Sequence, residues 1–438
     1  MVFGHSPDMV GDMAQDCVRL VQRSWRAKDI HTKKYSVITM SVADLALQRN
    51  KYKHLSDAEW HWFLQQIEGR ERTADKLPTF ASIPDWWYPV RLSCEQCSSE
   101  LTAKYKASLF PSLQRGDGGR LSMVDLTGGY GIDSYFLSEQ FTHTDYVEQN
   151  EELCRIAAHN FANKPIAIHH STAEDFLASA GQYDLIFLDP ARRDSHGSKV
   201  FRLEDCTPNV VELLPTLLAH SKRLLIKLSP MLDLTQAVTS LSQVNWDIHI
   251  VAIKNEVKEV LLISRNTDIP ECRNTEPTIT AIDLSHPEQA FTFTREEEQA
   301  AQPQMVNGTW SNGKWSNGTW IYEPNAAILK AGAYKLVGER FGLQKLDPNT
   351  HLYISDRLVD HFPGRVWRIK EAPFQLSPKG ARDQQANVLC RNYPLTPEQL
   401  KKKLHLRDGG TAYVIGCRVA GKPVVLLAER VEDIHAEG

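Results

Sequence analysis

The sequence predicts an α/β fold built on an open, largely parallel sheet, with a helical segment in front and small α+β modules behind. Three observations carry that prediction. Apolar strand-like runs alternate with helical stretches between residues 116 and 270. The first run ends in a carboxylate and a glycine turn, Met123-Val-Asp-Leu-Thr-Gly-Gly-Tyr-Gly-Ile-Asp133. From about residue 275 the composition changes, and a turn-rich Asn-Gly-x-Trp text repeats three times from Asn307. A chain of 438 residues exceeds one domain, and it has no apolar run long enough to cross a membrane.

In chain order, residues 1–115 read as a helical cap, with helical periodicity at 9–25, 42–49 and 57–67 and a loop rich in Pro and Trp at 78–89. Cys94 and Cys97 form a lone C-x-x-C, which without a second pair reads as two ordinary thiols, so no metal is expected. Eight scattered cysteines and no hydrophobic leader predict a reduced, cytoplasmic protein.

Residues 121–126 then read as a buried strand, Gly128, Gly129 and Gly131 as a tight turn, and 132–139 as an amphipathic helix. Such a strand, turn and helix make a nucleotide-cofactor seat. The glycines run G-G-x-G behind Asp125, so the G-x-G-x-x-G pyrophosphate fingerprint is missing. A ribose-holding carboxylate is expected roughly 20 residues past the turn, and Glu148 supplies one. Residues 183–189 form a further strand, ending in Asp189-Pro190-Ala191-Arg192-Arg193.

This ordered set resembles the class I S-adenosylmethionine-dependent methyltransferases. The resemblance implies a Rossmann-like seven-stranded sheet across residues 116–270, with S-adenosylmethionine as cofactor. It puts Asp125, Thr127, Gly129, Gly131, Asp133, Glu148, Ala173 and Gln96 at the cofactor. Thr172 departs from the acidic residue usual at the adenine. Glu174 or Asp175 can substitute, or can simply favour the helix dipole. Glu95-Gln96 and Ser99 resemble an approach segment that touches cofactor in some RNA methyltransferases, and equally read as part of an amphipathic helix packed on the sheet.

The tetrapeptide from Asp189 resembles the D-P-P-aromatic motif of enzymes that methylate amino nitrogens of nucleobases, with Ala191 and Arg192 as departures. It implies Asp189, Pro190 and Arg192 as the catalytic set. Asp189 accepts from an exocyclic amine, and Arg192 or Arg193 stacks on a base or clamps a phosphate. The alternative is a carboxylate paired with a neighbouring arginine. Carbon methylation needs a cysteine nucleophile, and Cys206 has no supporting motif.

Beyond Asp189, a helix is expected at 208–219, strand five at 223–228, and a hairpin of 247–253 with 257–264 through an Asn255-Glu256 link, completing seven strands. Lys227 and Ser229, at the carboxyl end of strand five, are substrate candidates, or else belong to a loop capped by Asp233. Residues 275–361 read as a small α+β, ferredoxin-like module, with strands at 278–284, 289–293 and 351–355 and a helix at 325–341. The repeated tryptophans either stack bases or pack as a loop against the helical cap.

Residues 362–434 continue with strands at 365–370 and 387–392, a turn at 379–381, a capped basic helix at 396–404 and two strands around Gly421. The net charge of -4 argues against indiscriminate nucleic-acid binding, yet from Phe362 onward 13 Lys and Arg face 8 Asp and Glu. The texts Tyr393-Pro-Leu-Thr-Pro-Glu-Gln-Leu-Lys-Lys-Lys-Leu404, Arg407-Asp-Gly-Gly410 and Tyr322-Glu-Pro-Asn-Ala-Ala-Ile-Leu-Lys-Ala-Gly332 resemble bacterial class I methyltransferases with a THUMP-like tail. That likeness implies RNA as partner, with Lys401, Lys402, Lys403 and Arg407 on phosphates; the alternative is a solvated helix face. The expected activity is methylation of a base nitrogen in structured RNA. Methylation of a small molecule or protein, and cofactor or RNA binding without turnover, stay open, as do the nucleotide and the oligomeric state.

Overall fold

The computed structural model describes residues 45–111, 121–191, 202–265, 276–306, 315, 318–372, 374 and 385–431. The expected helix at 9–25, the turn at 379–381, Arg192, Arg193 and most of the Asn-Gly-x-Trp repeat lie outside them. The chain divides into two compact units, Met1–Ile226 and Lys227–Gly438.

In the first unit the strands are β1 (Ser122–Asp125), β2 (His143–Glu148), β3 (Ile166–His170), β4 (Leu185–Leu188) and the start of β5 (Leu224–Leu228). They run parallel in the order β3-β2-β1-β4-β5. All four residues of β4 are buried, as expected of an apolar run covered on both faces of a parallel sheet. The order reverses between β1 and β4, and their carboxyl ends make the crevice where ligands of such sheets bind. Asp125 pairs with Tyr146 of β2 and Phe187 of β4, so the first acidic residue sits at that reversal.

The cap's helix α1 (Asp57–Thr73) starts at a Ser56–Glu59 capping box, which satisfies backbone donors at both ends of its first turn. Two shorter helices follow, α2 (Arg91–Gln96) and α3 (Glu100–Ser108). Behind the glycine turn, Phe80 and Trp86 (ring centroids 4.3 Å apart) pack with Tyr135, Phe136 and Phe161. The Trp86 indole donates to the Tyr130 hydroxyl at 2.7 Å, which donates to the Trp87 carbonyl at 3.1 Å. The aromatic-rich loop is therefore packing for the turn.

In the second unit β6 (Trp246–Ile253) and β7 (Glu256–Ser264) form the expected antiparallel pair. The turn residues are Lys254 and Asn255, one position earlier than expected, both with positive φ (52° and 61°). The Asp283 carboxylate accepts from both of their N–H groups, at 3.1 and 2.6 Å. Strands β8 (Thr278–Asp283) and β9 (Phe291–Thr294) add to β6, in the order β7-β6-β8-β9. The composition change near 275 had put them with the later module. Their alternating apolar residues instead continue the β6 pairing.

The remaining strands are β10 (Gln304–Met305), β11 (Trp320–Pro324), β12 (Gln344–Asp347), β13 (Thr350–Ser355), β14 (Gly364–Glu371), β15 (Asn387–Arg391), β16 (Ala412–Val419) and β17 (Lys422–Arg430). They form one eight-stranded sheet, β10-β12-β13-β11-β14-β17-β16-β15. It curls on itself: Arg391 of β15 and Arg365 of β14 both donate to the buried Glu323 carboxylate of β11. Asn392 reaches the Thr350 hydroxyl at 3.2 Å, and the Ala420 N–H reaches the Leu346 carbonyl at 2.9 Å. Inside lie Trp315, Ile321, Leu352, Trp367, Ile415 and Leu426. Trp315 of the repeat is thus packed, in the core of this sheet and not against the helical cap as expected.

The single helix expected at 325–341 is two, α4 (Ala326–Ala331) and α5 (Leu336–Arg340), because Gly332 takes a left-handed φ of 82° and ends the first. Asn325 caps α4 through the Ile328 N–H at 3.0 Å. The basic helix α6 (Pro397–Lys403) forms as expected behind a Thr396–Gln399 capping box.

Candidate cofactor and substrate site

Asp125 ends β1 almost wholly buried. One of its oxygens accepts from the Thr127 N–H at 3.0 Å, and the other from the Ser134 hydroxyl at 2.5 Å. Burial pushes its carboxyl up to about 7, and these hydrogen bonds oppose that rise. The Thr127 hydroxyl in turn accepts from the Asp189 N–H at 2.6 Å, so the ends of β1 and β4 are tied at the reversal. Asp189 is half-buried, Pro190 is buried, and Ala191 exchanges backbone hydrogen bonds with Thr207.

Gly129 has φ 56°, and a Cβ there would meet nothing nearer than the Thr127 carbonyl oxygen at 3.7 Å, so that side of the turn is open to a ligand. Gly131 differs: at φ 81° its Cβ would come within 2.4 Å of the Phe161 ring, so it serves close helix packing. Glu148, half-buried at the end of β2, accepts from the Gly129 N–H at 2.8 Å and the Asn150 N–H at 2.8 Å. Each oxygen keeps a second lone pair for a ribose hydroxyl. The Tyr146 hydroxyl donates to the Gly129 carbonyl at 2.5 Å and holds the turn from below. An open glycine turn with the half-buried Glu148 carboxylate beside it fits a cofactor carrying a ribose.

Other expected residues stand differently. Asp133 is held by the cap: its oxygens meet the Ser98 hydroxyl at 2.6 Å and the Lys106 ammonium at 3.1 Å. Gln96 is an exposed end of α2, Glu95 pairs with Arg91 at 2.6 Å, and Ser99 caps α3. The buried member of that segment is Ser98, which sequence reasoning missed. Thr172 accepts from the Asp175 N–H at 3.1 Å and donates to its carboxylate at 2.9 Å; the next residue, Ala173, is buried. Ser134 and Tyr146 were also missed, since nothing distinguishes a small hydroxyl or an aromatic on these elements until the turn has folded.

In the second unit, Lys227 is half-buried on β5, the Ser229 hydroxyl accepts from the Met231 N–H at 3.2 Å, and Asp233 caps the following helix. Lys402 is exposed on α6, as is Arg407 just beyond it, while Lys401 pairs with Asp408. Among the described residues no group of three His, Cys, Asp or Glu is placed to hold a metal ion, and no helix is long and apolar enough to cross a membrane.

Two family models match the chain, a ferredoxin-like domain at residues 320–363 and a THUMP domain-like domain at 364–430. A protein of Mycobacterium tuberculosis, named an uncharacterized S-adenosylmethionine-dependent methyltransferase, is 24% identical over 370 residues. The match spans 82% of this chain and 92% of that protein. A crystal structure from Porphyromonas gingivalis W83, reported as that of a candidate methyltransferase, is 30% identical with a TM-score of 0.76. That alignment covers 99% of this chain and 100% of the other. Since the likeness runs the full length of both, the chain belongs to the class I S-adenosylmethionine-dependent methyltransferases that carry ferredoxin-like and THUMP-like domains at the C-terminus.

Proposed function

We propose that this methyltransferase acts on an amino nitrogen of a base in structured RNA, with Asp189 orienting the amine. The observation that carries this reading is the Thr127–Asp189 hydrogen bond, which sets an Asp-Pro motif beside the cofactor turn. The cofactor supplies an electrophilic methyl on a sulfonium. Asp189 and the Pro190 carbonyl accept from the amino group, turning its lone pair outward for an in-line displacement, and the proton the nitrogen loses as the bond forms passes to the Asp189 carboxylate. Positioning and exclusion of water provide most of the acceleration, so no strong base is required. Glu148 holds the ribose, Gly129 admits the cofactor, and the buried Asp125 holds the turn beneath it through Thr127 and Ser134.

The THUMP-like match at 364–430 and the excess of basic residues after Phe362 support RNA as substrate. In this reading Lys402 and Arg407 are phosphate contacts, Arg192 or Arg193 stacks on the base or clamps a phosphate, and Lys227 and Ser229 are substrate contacts. The test is radiolabelled S-adenosylmethionine with total RNA from a strain lacking the protein, comparing wild type with Asp189→Ala. Label that enters one RNA class and disappears in the variant supports the proposal. Cofactor binding without RNA labelling sinks the RNA reading and turns the search to proteins and metabolites.

A further inference from the structure

The buried polar chain behind the cofactor turn runs on into the cap. Lys106 of α3 is wholly buried, its ammonium 3.1 Å from the Asp133 carboxylate and 3.3 Å from the Ser98 hydroxyl. Ser98 donates to the other Asp133 oxygen at 2.6 Å. Asp133 is the second residue of the helix Ile132–Leu137, and its neighbour Ser134 donates to Asp125. Asp125 accepts from the Thr127 N–H, and Thr127 accepts from the Asp189 N–H. Three elements that share no strand pairing with the cap, namely β1, the glycine turn and the end of β4, are thus linked to one cap lysine through polar contacts joined at the peptide link Asp133–Ser134.

Moving an ammonium out of water is unfavourable, and a carboxylate partner recovers only part of the loss, so a buried pair is weak grounds for stability. Its other use is to fix one arrangement among several. The geometry points to Lys106 and Ser98 as positioning residues of the cofactor site: they hold Asp133, and with it the start of the helix, where the glycine turn takes its binding shape. This rests on the reading of that turn as the cofactor seat. Asp133 then acts as the anchor between cap and turn.

Titration calorimetry with S-adenosylmethionine tests the assignment on the full chain, with a thermal melt for each variant. Ser98→Ala and Lys106→Met, each removing a hydrogen bond or charge from Asp133, are expected to weaken binding by roughly ten-fold or more. The paired replacement Lys106→Met with Asp133→Leu removes both charges of the pair, so its melting temperature returns toward wild type while its affinity stays low. Affinity that recovers together with the melting temperature would make the pair merely structural and overturn the inference. If Lys106→Met does not fold, Ser98→Ala still decides, because a folded Ser98→Ala that binds like wild type also overturns it. Wild type that binds no S-adenosylmethionine would sink the turn reading as well, whereas wild-type binding with unchanged variants would sink this inference alone.

Discussion

Replacing Gly131 by alanine isolates what the third glycine of the turn does. Its φ of 81° lies in the left-handed region, where an alanine costs about 1–2 kcal/mol. The added Cβ would also sit 2.4 and 2.8 Å from two ring atoms of Phe161. Phe161 is 2% exposed and packed by Trp86, Tyr135 and Tyr146, so its ring can yield only by displacing these neighbours. Overpacking of that kind adds about 1–3 kcal/mol. The expected loss is therefore about 2–5 kcal/mol, or a fall in melting temperature of roughly 4–20 °C at about 2–4 °C per kcal/mol for a unit of this size. Calorimetric melts of Gly131→Ala, Phe161→Leu and the double variant separate the two terms. The smaller side chain should recover the steric part and leave the backbone part. A Gly131→Ala chain that melts within a degree of wild type, or a double variant whose losses simply add, would refute the packing argument.

Three further outcomes are expected. The folded chain holds the Asp125 proton more tightly than the unfolded one, so the cost of ionising Asp125 is absent below about pH 4 and complete above about pH 7. Stability from this group falls across that window, and Asp125→Asn should flatten the fall in melts taken from pH 4 to 8; an unchanged slope would exclude Asp125 as its source. Glu323→Gln removes the shared carboxylate of Arg365 and Arg391. Breaking a fully buried pair costs about 3–5 kcal/mol, and the partial exposure of both arginines lowers the expectation to about 2 kcal/mol, read by denaturant unfolding of the full chain. Lys402→Ala and Arg407→Ala should each weaken RNA binding similarly for all sequences and reduce the log–log salt slope by about 1, and a slope that does not move would remove them from the phosphate contacts.

Those features of the cofactor half that depend on local rules were readable in the chain. The carboxylate at Asp125, the left-handed glycines and the carboxylate at Glu148 each follow from a strand end or a tight turn, and the structure forms them where spacing put them. The pairing of 278–294 with β6 was not readable, because alternating strands carry no label for their partner. The break at Gly332 was missed because a lone glycine inside helical periodicity reads either as tolerated or as a cap, and only its φ decides. Ser98 was hidden for a related reason. In Ser98-Ser99 both hydroxyls look alike, and the docking of α3 alone determines which caps the helix and which faces Asp133.

The two C-terminal family models meet between residues 363 and 364, yet that border falls on paired strands: Pro324 of β11 lies opposite Gly364 of β14. Contact is so close that a Cβ on Gly364 would lie 2.1 Å from the Glu323 carbonyl oxygen. Cutting the gene there would unzip a sheet, open the core around Trp367 and leave an unpaired strand edge on each fragment. The ferredoxin-like and THUMP-like segments therefore share one sheet and one core, so neither keeps its packing without the other.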